Sequence, residues 1–307
     1  MRHILEAQQF DTQLIDLLCN RTTELQAISQ DHRRHQKIGH LLDDRMMFLV
    51  FYEPSTRTRI SFAAAGQHLG MQVVTTENAR ESSSATKGET LEDTIRVLCE
   101  YRPDVIVLRH FEELSAERAA QVSSVPIINA GDGAGQHPTQ ALLDLYTIRK
   151  ETGRLSDLTI VIGGDLLHAR TSRSLSYMLG KYEGNHIIFV SPKALCMDVG
   201  VKSYLKRHHV TYEETEDLAY ALPKADVVYW PRIQKERFND ATIVRSLVMG
   251  LEQMQLLKPN AVLMSPLPRI DEIPVAVDKD PRAAYFRQAG NGMFMRMALL
   301  EWVLELL

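Results

Sequence analysis

Four short segments of the chain carry residue types whose spacing could do chemistry: Ser55-Thr56-Arg57-Thr58, Arg109-His110, His137-Pro138-Thr139-Gln140 and Pro266-Leu267-Pro268-Arg269. The first is the most explicit. In FYEPSTRTRISF an apolar run passes through a tight turn into residues of helical period, which leaves the first backbone N–H groups of that helix without intrahelical acceptors. Those donors, the helix dipole, the hydroxyls of Ser55, Thr56 and Thr58 and the guanidinium fork of Arg57 together suit a phosphate group. Local sequence leaves a plainer alternative open, in which Ser55 or Thr56 merely caps the helix and Arg57 and Arg59 are solvated. His137, ahead of a proline at a helix start, is similarly open to reading as a cap or a packed ring.

The elements that must hold these residues follow from the hydrophobic period. Short β-branched runs alternate with longer helical stretches, which predicts an α/β fold of two domains, each a mainly parallel sheet flanked by helices. In the first half, strands are expected at Arg45 to Phe51, Gln72 to Thr76, Asp104 to Leu108 and Pro126 to Ile128. The helices there fall at Asp11 to Gln30, Arg57 to Leu69, Thr90 to Tyr101 and Ser115 to Gln121. Helix His137 to Glu151 leads to a second alternation, with strands at Leu158 to Ile162, His186 to Val190, His209 to Tyr212, Asp226 to Tyr229 and Ala261 to Met264. The apolar run Gly292 to Leu307 reads as a last helix that must bury more than one face.

Composition narrows the function classes. Basic and acidic residues are interspersed for a net charge of -4, so no face is built for nucleic acid or an anionic membrane. Cys19, Cys99 and Cys196 lack the paired spacing of a zinc site or a disulfide framework and read as reduced, buried thiols. The N-terminal apolar run contains charges, and nowhere do about 18 apolar residues follow one another, so a cytoplasmic protein is expected.

Taken in order along the chain, STRT, RH, HPTQ and PLPR, with RTxxSL around Arg170, R-x-Q at Arg232 to Gln234 and QAGNG at Gln288 to Gly292, resemble the aspartate and ornithine carbamoyltransferase family. The resemblance spans nearly the whole length. It implies a metal-free and cofactor-free transferase that moves the carbamoyl group of carbamoyl phosphate to an amine. A carbamoyl-phosphate-binding domain at 1–136 would be completed by a C-terminal helix at 288–307. An interdomain helix at 137–152 would lead to an amino-acid-binding domain at 153–287.

By the same resemblance, Ser55, Thr56, Arg57 and Thr58 hold the phosphate, and Thr58, Arg109 and His137 donate to the carbonyl oxygen. Gln140 and the carbonyls of Pro266 and Leu267 receive the carbamoyl amide, with Pro268 suited to a cis turn.

The second substrate separates the branches. Aspartate brings two carboxylates and needs cations and amides, whereas ornithine brings a side-chain ammonium. Arg170, Arg232, Gln234 and Lys87 supply the former kind of lining, and the SPLP stretch lacks the cysteine typical of the ornithine branch. The aspartate branch is therefore expected, with N-carbamoyl-L-aspartate as product and de novo pyrimidine synthesis as the pathway. Ser83 and Lys87, in ESSSATKGE, would reach the site of a neighbouring subunit, which implies a homotrimer. A regulatory or dihydroorotase-type partner chain is a further possibility.

Three departures stand out: Ser265 where a histidine commonly precedes PLPR, Pro231 before Arg232, and His168 two residues before Arg170. Rival readings are a transferase for another amino acid, an inactive family member acting as a scaffold, and a nucleotide-binding protein suggested by GGD after LTIVI. The last lacks the G-x-G-x-x-G spacing.

Overall fold

The computed structural model describes residues 1–31, 38–77, 88–233 and 247–307. Two compact units emerge, Met1–Thr139 with Asn291–Leu307, and Gln140–Gly290. Both transitions fall inside helices rather than in linkers.

The first unit begins with α1 (Thr12–Ser29), whose N–H groups are met by the Asp11 carboxylate at Leu14 (2.7 Å). It continues through β1 (Met46–Phe51), α2 (Thr56–His68), β2 (Gln72–Thr76), α3 (Leu91–Glu100), β3 (Val105–His110), α4 (Ser115–Val122) and β4 (Ile127–Asp132). The strands form one sheet in the order β2-β1-β3-β4, all parallel. Parallel pairing requires crossovers that cover the sheet, so central strands are largely apolar: β1, MMFLVF, is buried from its second residue onward, and β3, VIVLRH, turns polar only at its carboxyl end. The edge strand β2, QVVTT, is largely exposed.

Helix α5 (Pro138–Thr152) leads into the second unit, which runs β5 (Thr159–Gly163), α6 (Arg170–Leu179), β6 (His186–Val190), α7 (Val199–Arg207), β7 (Thr211–Thr215), α8 (Leu218–Ala221), β8 (Val227–Tyr229), α9 (Leu251–Leu256) and β9 (Val262–Met264). Its parallel sheet has the order β7-β6-β5-β8-β9. The chain closes with α10 (Tyr285–Val303).

Several bounds differ from expectation. Strand β4 extends to Asp132 because Asn129 and Asp132, polar by type, are buried and bonded in the ladder and its loops. Strand β7 lies later than His209 to Tyr212: His209, at φ 58°, belongs to the turn after α7, and exposed Glu214 pairs with Lys202 at an open edge, where no apolar alternation is demanded. Helix α10 starts at Tyr285, seven residues before Gly292, because nothing crowds Gly290 and the Gln288 N–H already donates to Ala284 O at 2.7 Å. A helical glycine costs about 1 kcal/mol, which the burial of Met295, Leu299 and Leu300 offsets. More than one face of α10 is indeed covered, and its buried charge Glu301 is met by Arg21 in a bidentate pair at 2.6 and 3.0 Å. Of the thiols, only Cys19 is buried; Cys99 and Cys196 are half-buried, and none of the three is in a disulfide.

Gly163 closes β5 directly against fully buried Trp230, and a β-carbon there would overlap the indole ring. Gly163→Ala should therefore lower stability by roughly 1–3 kcal/mol. Urea unfolding monitored by circular dichroism checks this, and an unshifted midpoint would contradict the packing.

Candidate active site

In the first unit the sequence-marked residues sit at the carboxyl ends of three neighbouring strands. Ser55 is the N-cap of α2 (φ −156°, ψ 81°), yet its side chain makes no capping hydrogen bond. The first N–H bonded back to the cap is that of Arg59, to Ser55 O at 3.0 Å. The simple-cap alternative is thereby set aside, and among the described residues no bond claims the N–H groups of Thr56, Arg57 and Thr58 at the positive end of the dipole. Thr58 is buried, while Arg57 is exposed and pairs with no carboxylate among the described residues. Partial desolvation moves the Arg57 pKa down from its usual value, leaving it a full cation at neutral pH. Arg59 differs: its guanidinium lies 2.8 Å from Glu77.

Arg109, opposite Phe51 in the register of β1 and β3, donates to Ala130 O at 3.2 Å and lies 3.4 Å from Glu53. His137 is buried at the head of α5, with Nδ1 3.4 Å from Thr139 Oγ1. The loop that delivers it is fixed by Asp132, whose carboxylate accepts the Gln136 N–H at 2.8 Å and the Leu114 N–H at 3.0 Å.

The second unit repeats the arrangement. Arg170 opens α6 after β5, Arg232 follows β8, and Pro266 and Leu267 follow β9, three strands adjacent in the sheet. The loop before Arg170 is tied down by buried Asp165, which accepts the His168 N–H at 3.2 Å and lies 2.9 Å from His168 Nδ1. His168 therefore holds the loop through a polar contact where packing alone would otherwise serve. Pro231 is buried beside Gly164, a glycine at φ +99°.

The Leu267–Pro268 bond is cis and Leu267 has φ 52°. Ser265 secures this turn: its Oγ accepts the Leu267 N–H at 3.3 Å, and its own N–H donates to Gln288 Oε1 at 2.9 Å. Arg269 is structural, ion-paired with Asp278 and set over the Tyr285 ring. Beyond it, the buried Glu272 carboxyl is pushed upward in pKa by desolvation, with the positive charge of Arg232 opposing the shift.

Gln140 donates its Nε2 to Asp144 Oδ1 at 2.9 Å. Asp144 and Tyr229 carry no motif signal in the sequence, although a glutamine one helical turn before an aspartate is a visible i, i+4 pair; Gln288 opens the QAGNG motif. Ser83, Lys87 and Gln234 lie outside the described residues. Among the described residues there is no cluster of potential metal ligands, and no helix is long and apolar enough to cross a membrane.

Strand-end loops rich in cations and helix-start donors, on two parallel sheets, define an anion-handling α/β protein. Residues 2–150 match the aspartate/ornithine carbamoyltransferase carbamoyl-P binding domain, and residues 156–303 match the Asp/Orn binding domain of the same family. The chain belongs to the aspartate/ornithine carbamoyltransferase family. It is similar to the chloroplastic aspartate carbamoyltransferase of Oryza sativa subsp. japonica, at 49% identity covering 98% of this chain and 84% of the relative. The aspartate carbamoyltransferase catalytic subunit of Methanothrix thermoacetophila is 43% identical, covering 99% and 98%. Among solved structures, aspartate transcarbamoylase from Trypanosoma cruzi with carbamoyl phosphate and aspartate aligns with a TM-score of 0.90 at 40% identity, covering 97% of this chain and 95% of that one. The M. jannaschii catalytic subunit gives 0.91 at 40%, covering 99% and 98%.

Arg57→Ala removes a charge-assisted fork worth roughly 2–3 kcal/mol to a bound anion. Calorimetric titration with inorganic phosphate should show affinity reduced about thirtyfold or more, whereas equal affinity in the variant would remove Arg57 from the anion site.

Proposed function

We propose that this chain transfers the carbamoyl group of carbamoyl phosphate to the amino group of L-aspartate, giving N-carbamoyl-L-aspartate and phosphate, a step of de novo pyrimidine synthesis. The observation that carries the reading is the uncapped start of α2, with Arg57 uncompensated by any described carboxylate. For the second substrate, guanidinium groups after β5 and β8, Arg170 and Arg232, favour a dicarboxylate over a side-chain ammonium. The relatives are named for the same reaction, and one of the similar structures contains carbamoyl phosphate with aspartate.

In this reading Ser55, Thr56, Arg57 and Thr58 hold the phosphate of the donor. Thr58, Arg109 and His137 aim donors at the carbonyl oxygen, where negative charge develops. The neutral amine of aspartate attacks the carbonyl carbon, and a tetrahedral oxyanion forms. The C–O bond to phosphate then breaks, and the departing phosphate takes the amine proton. Gln140 Oε1 and the carbonyl oxygens of Pro266 and Leu267 accept the carbamoyl N–H groups. Arg170 and Arg232 hold the carboxylates of aspartate, helped by Ser83, Lys87 and Gln234. Much of the rate comes from holding two mutually repelling anions together. No step calls for a metal or cofactor.

The resemblance also supports a homotrimer in which Ser83 and Lys87 complete a neighbour's site. Three free cysteines suit a reducing compartment such as the cytoplasm, while the plant relatives carry chloroplastic names.

The activity assay is direct: purified protein should release one phosphate per N-carbamoyl-aspartate formed and leave ornithine untouched. His137→Ala should lower kcat by roughly 10²–10³-fold with phosphate affinity nearly unchanged, and full turnover in the variant would exclude the donor role. Shared sites have their own test: inactive Arg57→Ala and Lys87→Ala proteins, dissociated and reassembled together, should regain activity that neither has alone. Continued inactivity of the mixture would confine each site to one chain.

A further inference from the structure

Asp144, on α5 in the second unit, is fully buried and gathers three donors. They are Gln140 Nε2 at 2.9 Å, Gln288 Nε2 at 2.6 Å and the Tyr229 hydroxyl at 2.8 Å. An ionised carboxylate accepts hydrogen bonds and gives none, so each partner must turn its donor inward. For Gln140 this settles the sense of the side-chain amide: with Nε2 committed to Asp144, the opposite atom is Oε1, an acceptor. The same logic applies to Gln288. Its Nε2 is committed, so its Oε1 is the end that takes the Ser265 N–H at 2.9 Å, immediately before the carbonyls of Pro266 and Leu267. Tyr229 is fully buried, and desolvation together with the Asp144 charge drives its pKa far upward, so it stays a phenol and a donor.

We propose that Asp144 is a positioning residue that fixes the Gln140 amide with its acceptor end free for an –NH₂ group and, through Gln288 and Ser265, holds the Pro266–Leu267 carbonyls in place beside it. The inference rests on the transferase reading above. It predicts selectivity for a carbamoyl phosphate over an acyl phosphate of the same shape, because a methyl group in place of the amine leaves desolvated acceptors unmet. Asparagine at 144 would offer a donor as well as an acceptor, and the Gln140 amide could then turn over.

The probes are carbamoyl phosphate and its methyl isostere acetyl phosphate, titrated calorimetrically into the whole protein, with phosphate release in the presence of aspartate measured alongside. Wild type should prefer carbamoyl phosphate by roughly tenfold or more, as one or two charge-free hydrogen bonds allow. Asp144→Asn should bring that preference close to parity while acetyl phosphate affinity stays within about threefold. Tyr229→Phe, which keeps the ring and removes one donor, should narrow the preference in the same direction. Were Asp144→Asn not to fold, the Tyr229→Phe ratio decides alone. A preference that persists in both variants, or the parallel loss of both ligands, overturns the inference and leaves Asp144 a purely structural group. A wild type that binds neither probe and releases no phosphate overturns the transferase reading, and this inference with it.

Discussion

An anion can be held inside a protein only where positive charge and N–H donors are left unneutralised by the protein itself. The arginines of this chain divide on that condition. Arg21 is claimed by Glu301, Arg59 by Glu77, Arg118 by Glu92 and Glu112, and Arg269 by Asp278. Such close pairs leave little charge to spare, whereas Arg109 meets Glu53 only at 3.4 Å. Arg57 stands apart, at a helix start that the Ser55 side chain does not cap and without an ion pair among the described residues. Parallel sheets make this economical, since crossover helices begin near the carboxyl ends of the strands; several of those starts are capped, by Thr90, Asp198 and Asp217, whereas Ser55 leaves the start of α2 open.

The loops at those edges are held by one device used three times. Asp132, Asp165 and Asp144 are buried carboxylates, each met by several donors. Asp132 fixes the approach to His137, Asp165 the approach to Arg170, and Asp144 the amide of Gln140. Removing a carboxylate from such a setting strands its donors, which costs more than the bonds contribute net. The departures from family pattern fit the same scheme. Ser265 binds the turn after β9 with its hydroxyl, and His168 engages Asp165 rather than solvent.

The amino-acid sequence by itself determined the periods of both sheets, the order of the strands along the chain and the ligand types after them. These depend on neighbours a few residues away: the run MMFLVF is buried whichever fold surrounds it, and STRT marks a strand-to-helix turn by its own geometry. The bounds of edge strand β7, expected at His209 to Tyr212 and found at Thr211–Thr215, and the early start of α10 were not legible, because polar TYEET carries little apolar pattern to fix its ends and a glycine in open space does not stop a helix. Tertiary structure alone decided that Arg57 has no carboxylate partner among the described residues, and which end of the Gln140 amide is the acceptor. Those outcomes rest on partners 85 and 144 residues distant, Tyr229 and Gln288 against Asp144. A hydrogen bond's direction is set by the whole set of groups that converge on an atom, and only the folded chain brings that set together.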